Sequence, residues 1–249
     1  NISKQYFPII NAEIIHSKDL KVFINPAEKT LNFVQSKPTD WVKISNAKLI
    51  GWRIKFDGLD RVYGHPVEQR FNSYGMTGCL NFFNTNFKRS SINFVNGQCE
   101  DAINIVNSKG LIENLEISNS YQDGLDMDFS ELEIKNLKIQ SSGNDCLDLS
   151  GGEYSLDTGK ISLCSDKGIS IGEKSVLNIN DVVINDTTSA LTVKDLSILN
   201  VENASISRSE ICTAAYQKKQ EYGGGLLNIN NLSCIGKNYK DNNSITNIN

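Results

Sequence analysis

Asp101-Ala-Ile-Asn-Ile, Asp123-Gly-Leu-Asp-Met, Asp145-Cys-Leu-Asp-Leu, Lys167-Gly-Ile-Ser-Ile and Ser189-Ala-Leu-Thr-Val are versions of one short pattern. The small residue falls at Ala102, Gly124, Cys146, Gly168 and Ala190, a return every 22 residues. A fixed period of this size marks stacked structural repeats, each too small to bury its own apolar face. Inside each copy two aliphatic positions flank a polar one, as in Ile103/Ile105 and Leu147/Leu149. That is strand alternation, with every second side chain facing in. A second apolar cluster follows in each copy, for example 111–117 and 134–139. At roughly 3.3 Å per residue one copy has a perimeter of ~70 Å, enough for three short strands and their turns. Each copy is therefore expected to form one coil of a parallel β-solenoid.

Other repeat folds fit less well. The Leu-x-x-Leu-x-Leu frame of leucine-rich repeats is missing, and helical repeats need longer periods with 3.6-residue spacing. The pattern resembles the right-handed parallel β-helix of the pectate-lyase-like superfamily, which includes pectate lyases, polygalacturonases, alginate epimerases and phage tailspikes. The stretches 144–152 and 165–173 are similar in style to bacterial β-helix proteins of undefined function. The resemblance covers about 46–230 and implies architecture and a bacterial or phage source. It implies no reaction, because one fold hosts many chemistries. Arg53-Ile54-Lys55 echoes a polygalacturonase string, yet it precedes the acidic coils and no Gly-His-Gly follows. The pectate lyase and alginate epimerase strings are absent.

Working outward, 1–45 is expected to cap the solenoid and supply its first strands, 46–236 to form some eight coils, and 237–249 to be a polar, frayed tail. The segment 57–78, with Arg61, Tyr63, His65, Arg70 and Tyr74, breaks the period and is expected to project as a loop. Asn114/Asn136 and Asn178/Asn200, each pair 22 apart, are expected to form side-chain ladders along the stack.

Composition narrows the functional classes. A net charge of −4 argues against a general nucleic-acid partner, which would meet a basic face. No apolar run reaches the length of a membrane span. The chain opens at Asn1 without Met or a signal-peptide pattern, as a trimmed or processed product would. A secreted or cell-surface location suits the fold's relatives. The 6 cysteines include no Cys-x-x-Cys pair, which argues against structural zinc. Cys146, in the small-residue column, is expected to be a packed thiol, and Cys212 with Cys234 is spaced for a bridge between neighbouring coils.

Stacking turns the polar positions into columns. One carries Asp101, Asp123, Asp145, Lys167 and Ser189; a second carries Asn104, Asp126, Asp148, Ser170 and Thr192; a third carries Val106, Asp128, Ser150, Gly172 and Lys194. The second column is expected to face outward. Carboxylates one coil apart, ~4.8 Å, raise one another's pKa or recruit a cation. Asp123, Asp126, Asp128 and Asp148 are accordingly candidate ligands for Ca²⁺, which takes oxygen donors. The strip turns basic at Lys167, Lys194 and Lys218. An acidic polysaccharide is the expected partner, with Asp126, Asp148 and Lys167 as the catalytic candidates of a lyase, hydrolase or epimerase. Asp123, Asp145, Lys194 and Lys218 are the candidate substrate contacts. The alternative is a non-catalytic carbohydrate-binding or structural β-helix, such as an adhesin or tailspike-like shaft.

Overall fold

The computed structural model describes residues 2–60 and 70–249. The described chain is 71% strand with no α-helix, wound into a β-solenoid of about 10 turns. Its coils stack in parallel with the register that the repeat dictates. Asp101–Val106 lies beside Asp123–Ser142, pairing Ile103 with Leu125 and Asn104 with Asp126. The next coil pairs Asp126 with Asp148, and two coils further Lys167 pairs with Ser189. The alternating aliphatics, from Ile103 and Ile105 through Leu191 and Val193, are buried in one continuous core. Upstream the core becomes aromatic, with Phe56 stacked on Phe94 at 4.8 Å.

Corners recur as regularly as strands. Asn84, Asn107, Phe129, Gly151, Glu173 and Asp195 occupy one left-handed corner on successive coils, and Asn96, Asn119, Ser141 and Leu163 occupy another. Asparagine tolerates this backbone better than most residues, which explains its recurrence at the bends. Asn ladders run along the outside as expected: Asn136 Nδ2 donates to Asn114 Oδ1 at 3.1 Å, and Asn200 Nδ2 to Asn178 Oδ1 at 2.8 Å.

At the N-terminal end the pairing turns antiparallel. Ile2–Phe7 pairs with Ala12–Ser17, which pairs with Val42–Ser45, and Lys21–Asn25 pairs with Thr30–Val34. These strands cover the edge that an open solenoid would expose. Parallel stacking already begins at Thr30–Val34, on Arg53–Asp57. At the other end, Lys237–Lys240 pairs with the 211–215 strand segment, and Ile245–Ile248 pairs with 226–229. The expected frayed tail is therefore two more ladder strands. Early stacking at one end and a paired tail at the other raise the turn count above the expected eight.

Cysteine usage differs from expectation. Cys146 is not a free thiol: it is bonded to Cys164, and Cys79–Cys99 and Cys212–Cys234 are bonded as well. The Cys212–Cys234 bridge was expected from stacking, but Cys234 sits opposite Ile206 rather than Cys212. The common rule is different. Cys79, Cys146 and Cys212 all occupy the small-residue column, and each partner lies 20, 18 or 22 residues on, near the end of the same circuit. Each bridge thus closes about one coil.

Gly124 and Gly168, in the small-residue column, lie inside strands without positive φ. Their constraint is crowding. A Cβ on Gly124 would meet the Cys146 carbonyl oxygen at 2.6 Å, and one on Gly168 the Ala190 carbonyl oxygen at 2.7 Å.

Candidate functional site: an acid-to-base strip

The register lays the three polar columns side by side on one face. Two irregular segments reach this face. In the first, Asn72 Oδ1 accepts the backbone N–H groups of Tyr74 and Met76 and shapes the turn. Arg70 Nε there approaches Glu100 Oε1 at 3.3 Å, and its charge acts on Asp128. The rest of the expected loop, including Arg61, Tyr63 and His65, falls in 61–69, outside the described residues. In the second segment, buried Asp195 accepts the backbone N–H groups of Lys218 and Lys219 at 2.7 and 2.8 Å. Lys219 closes that turn with an ion pair to Glu173.

The second column faces away from the core but is not freely exposed. Asn104, Ser170 and Thr192 are buried, while Asp126 and Asp148 are half-buried. The strip is a cleft floor rather than an open rib. Asn104 Nδ2 donates to Asp126 Oδ2 at 3.2 Å and, more weakly, to Asp128 Oδ2 at 3.5 Å.

The first column has a structural task that the sequence left open. Asp123 Oδ1 accepts the backbone N–H of Asp145 at 2.9 Å, and Asp145 Oδ1 accepts that of Lys167 at 3.0 Å. Each carboxylate therefore satisfies a backbone donor on the following coil. Asp145 also receives the Lys167 ammonium at 3.3 Å, and Lys167 pairs with Asp166.

Asp101 belongs to that column but was not among the candidate site residues. It is 2% exposed, and its Oδ2 has no hydrogen-bond partner. Thr77 lies alongside with its own buried hydroxyl unpartnered, close to the carboxyl but without hydrogen-bond geometry. Burial, with the Asp123 and Glu100 charges, pushes Asp101 up to about 8 despite the nearby Thr77. Asp126, facing it, is pushed well above the usual carboxylate range by burial and then by the charges of Asp101, Asp128 and Asp148. Asp123 and Asp128 each rise to about 6, again chiefly by burial. Burial also raises Asp145, against the pull of Lys167. Near neutral pH this cluster holds protons that exposed aspartates would have released.

The basic half divides into two kinds of lysine. Burial pulls Lys167 down, but its hydrogen bond to Asp166 and the Asp145 and Asp166 charges outweigh it, leaving the ammonium firmly protonated. Lys194 goes the other way. It is 6% exposed, donates to Ser170 Oγ at 2.7 Å and stands 3.9 Å from Asp148 Oδ1. Burial lowers its pKa, with Asp148 only partly offsetting the effect. Lys218 is exposed, and its charge is felt at Lys194.

The expected Ca²⁺ ligands Asp123, Asp126, Asp128 and Asp148 are thus neighbours on two adjacent coils. One oxygen of each is engaged: Asp123 Oδ1 by the Asp145 backbone N–H and Asn144, Asp126 Oδ2 and Asp128 Oδ2 by Asn104, and Asp148 Oδ1 by Lys194.

No known protein family, no curated protein and no solved structure matches this chain. Among the described residues no helix is long and apolar enough to cross a membrane.

Proposed function

We propose that this strip binds an acidic polysaccharide and cleaves it by β-elimination, as a β-helix of the pectate-lyase-like kind from a bacterium or phage. The observation that carries this reading is Lys194. It is a buried amine with a lowered proton affinity, held by Ser170 beside Asp148, one coil from Asp126, whose carboxyl holds its proton more tightly than an exposed aspartate does. A base and an acid whose affinities have been moved toward each other are the pairing that proton-transfer catalysis needs. Lys194 lies three coils from Asp126, but its ammonium reaches back to Asp148, one coil or ~4.8 Å from Asp126, a spacing that accommodates a single sugar residue.

In this mechanism neutral Lys194 removes the proton alpha to the uronate carboxyl, carbon 5 of the ring. The C4–O bond breaks, its electrons leave with the departing sugar oxygen, and protonated Asp126 donates a proton to that oxygen. The products are a 4,5-unsaturated uronate and a new chain end. Lys167, held charged by Asp145 and Asp166, serves as a fixed cation for the uronate carboxylate, and Asp148 orients Lys194. Asp123 and Asp145 shape the floor through their backbone contacts, and Lys218 supplies an exposed positive rim.

The test is a screen of pectate, alginate, heparosan and bacterial capsular polysaccharides, read by the ultraviolet absorbance of unsaturated uronate. Lys194→Met should abolish turnover on the responding polymer while retaining binding. Asp126→Asn should slow turnover on the order of 10²-fold. New reducing ends without that absorbance would assign hydrolysis instead, with Asp126 and Asp148 as the carboxyl pair. Binding without turnover, equal in parent and variants, would place the protein with adhesins and shafts. The Lys167–Asp145–Asp166 cluster favours that second reading, since it neutralises part of the strip internally. No binding to any acidic glycan overturns the polysaccharide reading.

A further inference from the structure

The charged strip does not end in bare strand. Along the third column, Phe83 pairs with Val106, Val106 with Asp128, and Asp128 with Ser150; further on, Lys194 pairs with Tyr216. Along the second column, Lys43 pairs with Asn81 at one end and Ala214 with Tyr239 at the other. The third column therefore carries Phe83 near one end and Tyr216 at the other, and the second runs from Lys43 to Tyr239.

At the N-terminal end Phe83 and Tyr74 are exposed, and the Lys43 ammonium lies over both rings, 4.8 and 5.8 Å from their centroids. At the other end Tyr216 and Tyr239 meet edge to face at 6.2 Å, with Tyr239 52% exposed. The loop beside them places Lys174 5.7 Å from the Tyr222 ring and leaves Lys218 exposed. An exposed ring on a strand face costs free energy unless something covers it, and contiguous exposed apolar surface rimmed by charge marks a ligand surface. A ring beside a lysine offers a flat apolar face and a positive charge together. A pyranose bearing a carboxylate presents the complement, an apolar face of ring C–H groups and an anion.

We infer that the ligand is a linear uronate-bearing chain lying lengthwise along the solenoid, gripped near both ends by the aromatic–lysine clusters at Phe83 and at Tyr216/Tyr239. This rests on the polysaccharide reading above and adds the ligand's length and direction. From Phe83 to Tyr216 there are six coil steps, so the span is 6 × 4.8, or ~29 Å. At about one sugar per coil, the strip takes six to seven residues. Both ends of the strip lie on the flank of the coil stack, so an internal stretch of a long polymer can lie across it. A short fragment would reach only one cluster.

The experiment measures affinity against chain length with purified oligogalacturonates and oligomannuronates of two to eight residues. Trp41 packs on Tyr74 at 5.7 Å, so its fluorescence reports occupancy of the N-terminal cluster. Affinity should climb up to six or seven residues and then level off. Phe83→Ala and Tyr239→Ala should each weaken a heptamer about three- to tenfold, the scale of one aromatic contact. At most one of the two changes should alter trimer affinity, and circular dichroism should show both variants folded, because both rings are partly exposed. Affinity that saturates at three or four residues, or heptamer binding indifferent to both substitutions, overturns the lengthwise grip while leaving the polysaccharide reading standing. Failure of both oligomer series and of every polymer in the screen overturns the two together.

Discussion

The buried acid cluster should make the protein most stable on the acid side of neutrality, the reverse of what salt-bridged carboxylates produce. The sign follows from linkage. Asp101, Asp123, Asp126, Asp128 and Asp145 all hold their protons more tightly in the fold than an exposed aspartate does. An unfolded chain releases them near pH ~3.9. Between that value and the folded ones, the native state carries more bound protons than the unfolded state, so stability falls as pH rises. The contribution is fully present near pH 4 and is lost progressively up to about pH 8, the value Asp101 reaches. Asp19, Asp186 and Asp241 have lowered values, so their contributions are lost only at more acid pH and do not mask the trend.

Asp101 sets the magnitude. A rise from 3.8 to about 8 is roughly four units, and at about 1.4 kcal/mol per unit the ceiling is ~6 kcal/mol. Interaction with Asp126 spreads the titration over the pair, and water reaching the ionised carboxyl relaxes the penalty, so about 3 kcal/mol is expected between pH 5 and pH 8. For a chain of this length that corresponds to a fall in Tm of roughly 6–12 °C. Differential scanning calorimetry at constant ionic strength measures it directly. Asp101→Asn mimics the protonated acid, and its amide can donate to Asp126. The variant should melt above the parent at pH 8 and show a much flatter profile. A parent Tm that rises from pH 5 to pH 8, or a variant with the parent's full slope, would refute the account of Asp101 as a buried, protonated acid.

Reducing the disulfides should lower Tm; loss of the Cys212–Cys234 bridge alone should cost about 2–4 kcal/mol, measured on a Cys212→Ser/Cys234→Ser chain. Thiol alkylation of the unreduced, denatured protein should label no cysteine, since all 6 are paired. Gly168→Val should destabilise by roughly 1–3 kcal/mol in urea unfolding, because its Cβ meets the Ala190 carbonyl; a variant as stable as the parent would mean the coils can move apart there. Leu163→Asn should stabilise by about 0.5–1 kcal/mol. Leu163 is half-exposed in a left-handed corner where the coils upstream use Asn96 and Asn119.

What the sequence disclosed and what it withheld divide along a physical line. The 22-residue return makes each coil's contacts copies of its neighbour's, so register, core and ladders follow from local spacing. Asp126 and Asp148 could be placed side by side for that reason, and the Asn ladders as well. Whatever depends on breaks in the repeat could not be read that way. Asp101 pairs with Gly78 on the preceding coil, with Thr77 beside it, and neither residue belongs to the pattern. Of the disulfides only Cys212–Cys234, at the repeat's own spacing of 22, was legible; Cys79–Cys99 and Cys146–Cys164, 20 and 18 apart, follow only the rule that each bridge spans about one coil.

Lys194 is the sharpest case. In the column picture Lys167 and Lys194 are two similar cations on successive coils, and Lys167, nearer the acids, looks the better catalyst. Chain direction reverses this. Lys167 meets Asp166 and Asp145 at once and is fixed as a charge, whereas Lys194 folds back over Ser170 into a buried position where Asp148, at 3.9 Å, offsets its burial only in part. Two lysines from one repeat register thereby acquire opposite proton affinities. The division of labour proposed for them, a permanent cation and a proton acceptor, is set by rotamer and burial, which a column of letters does not encode.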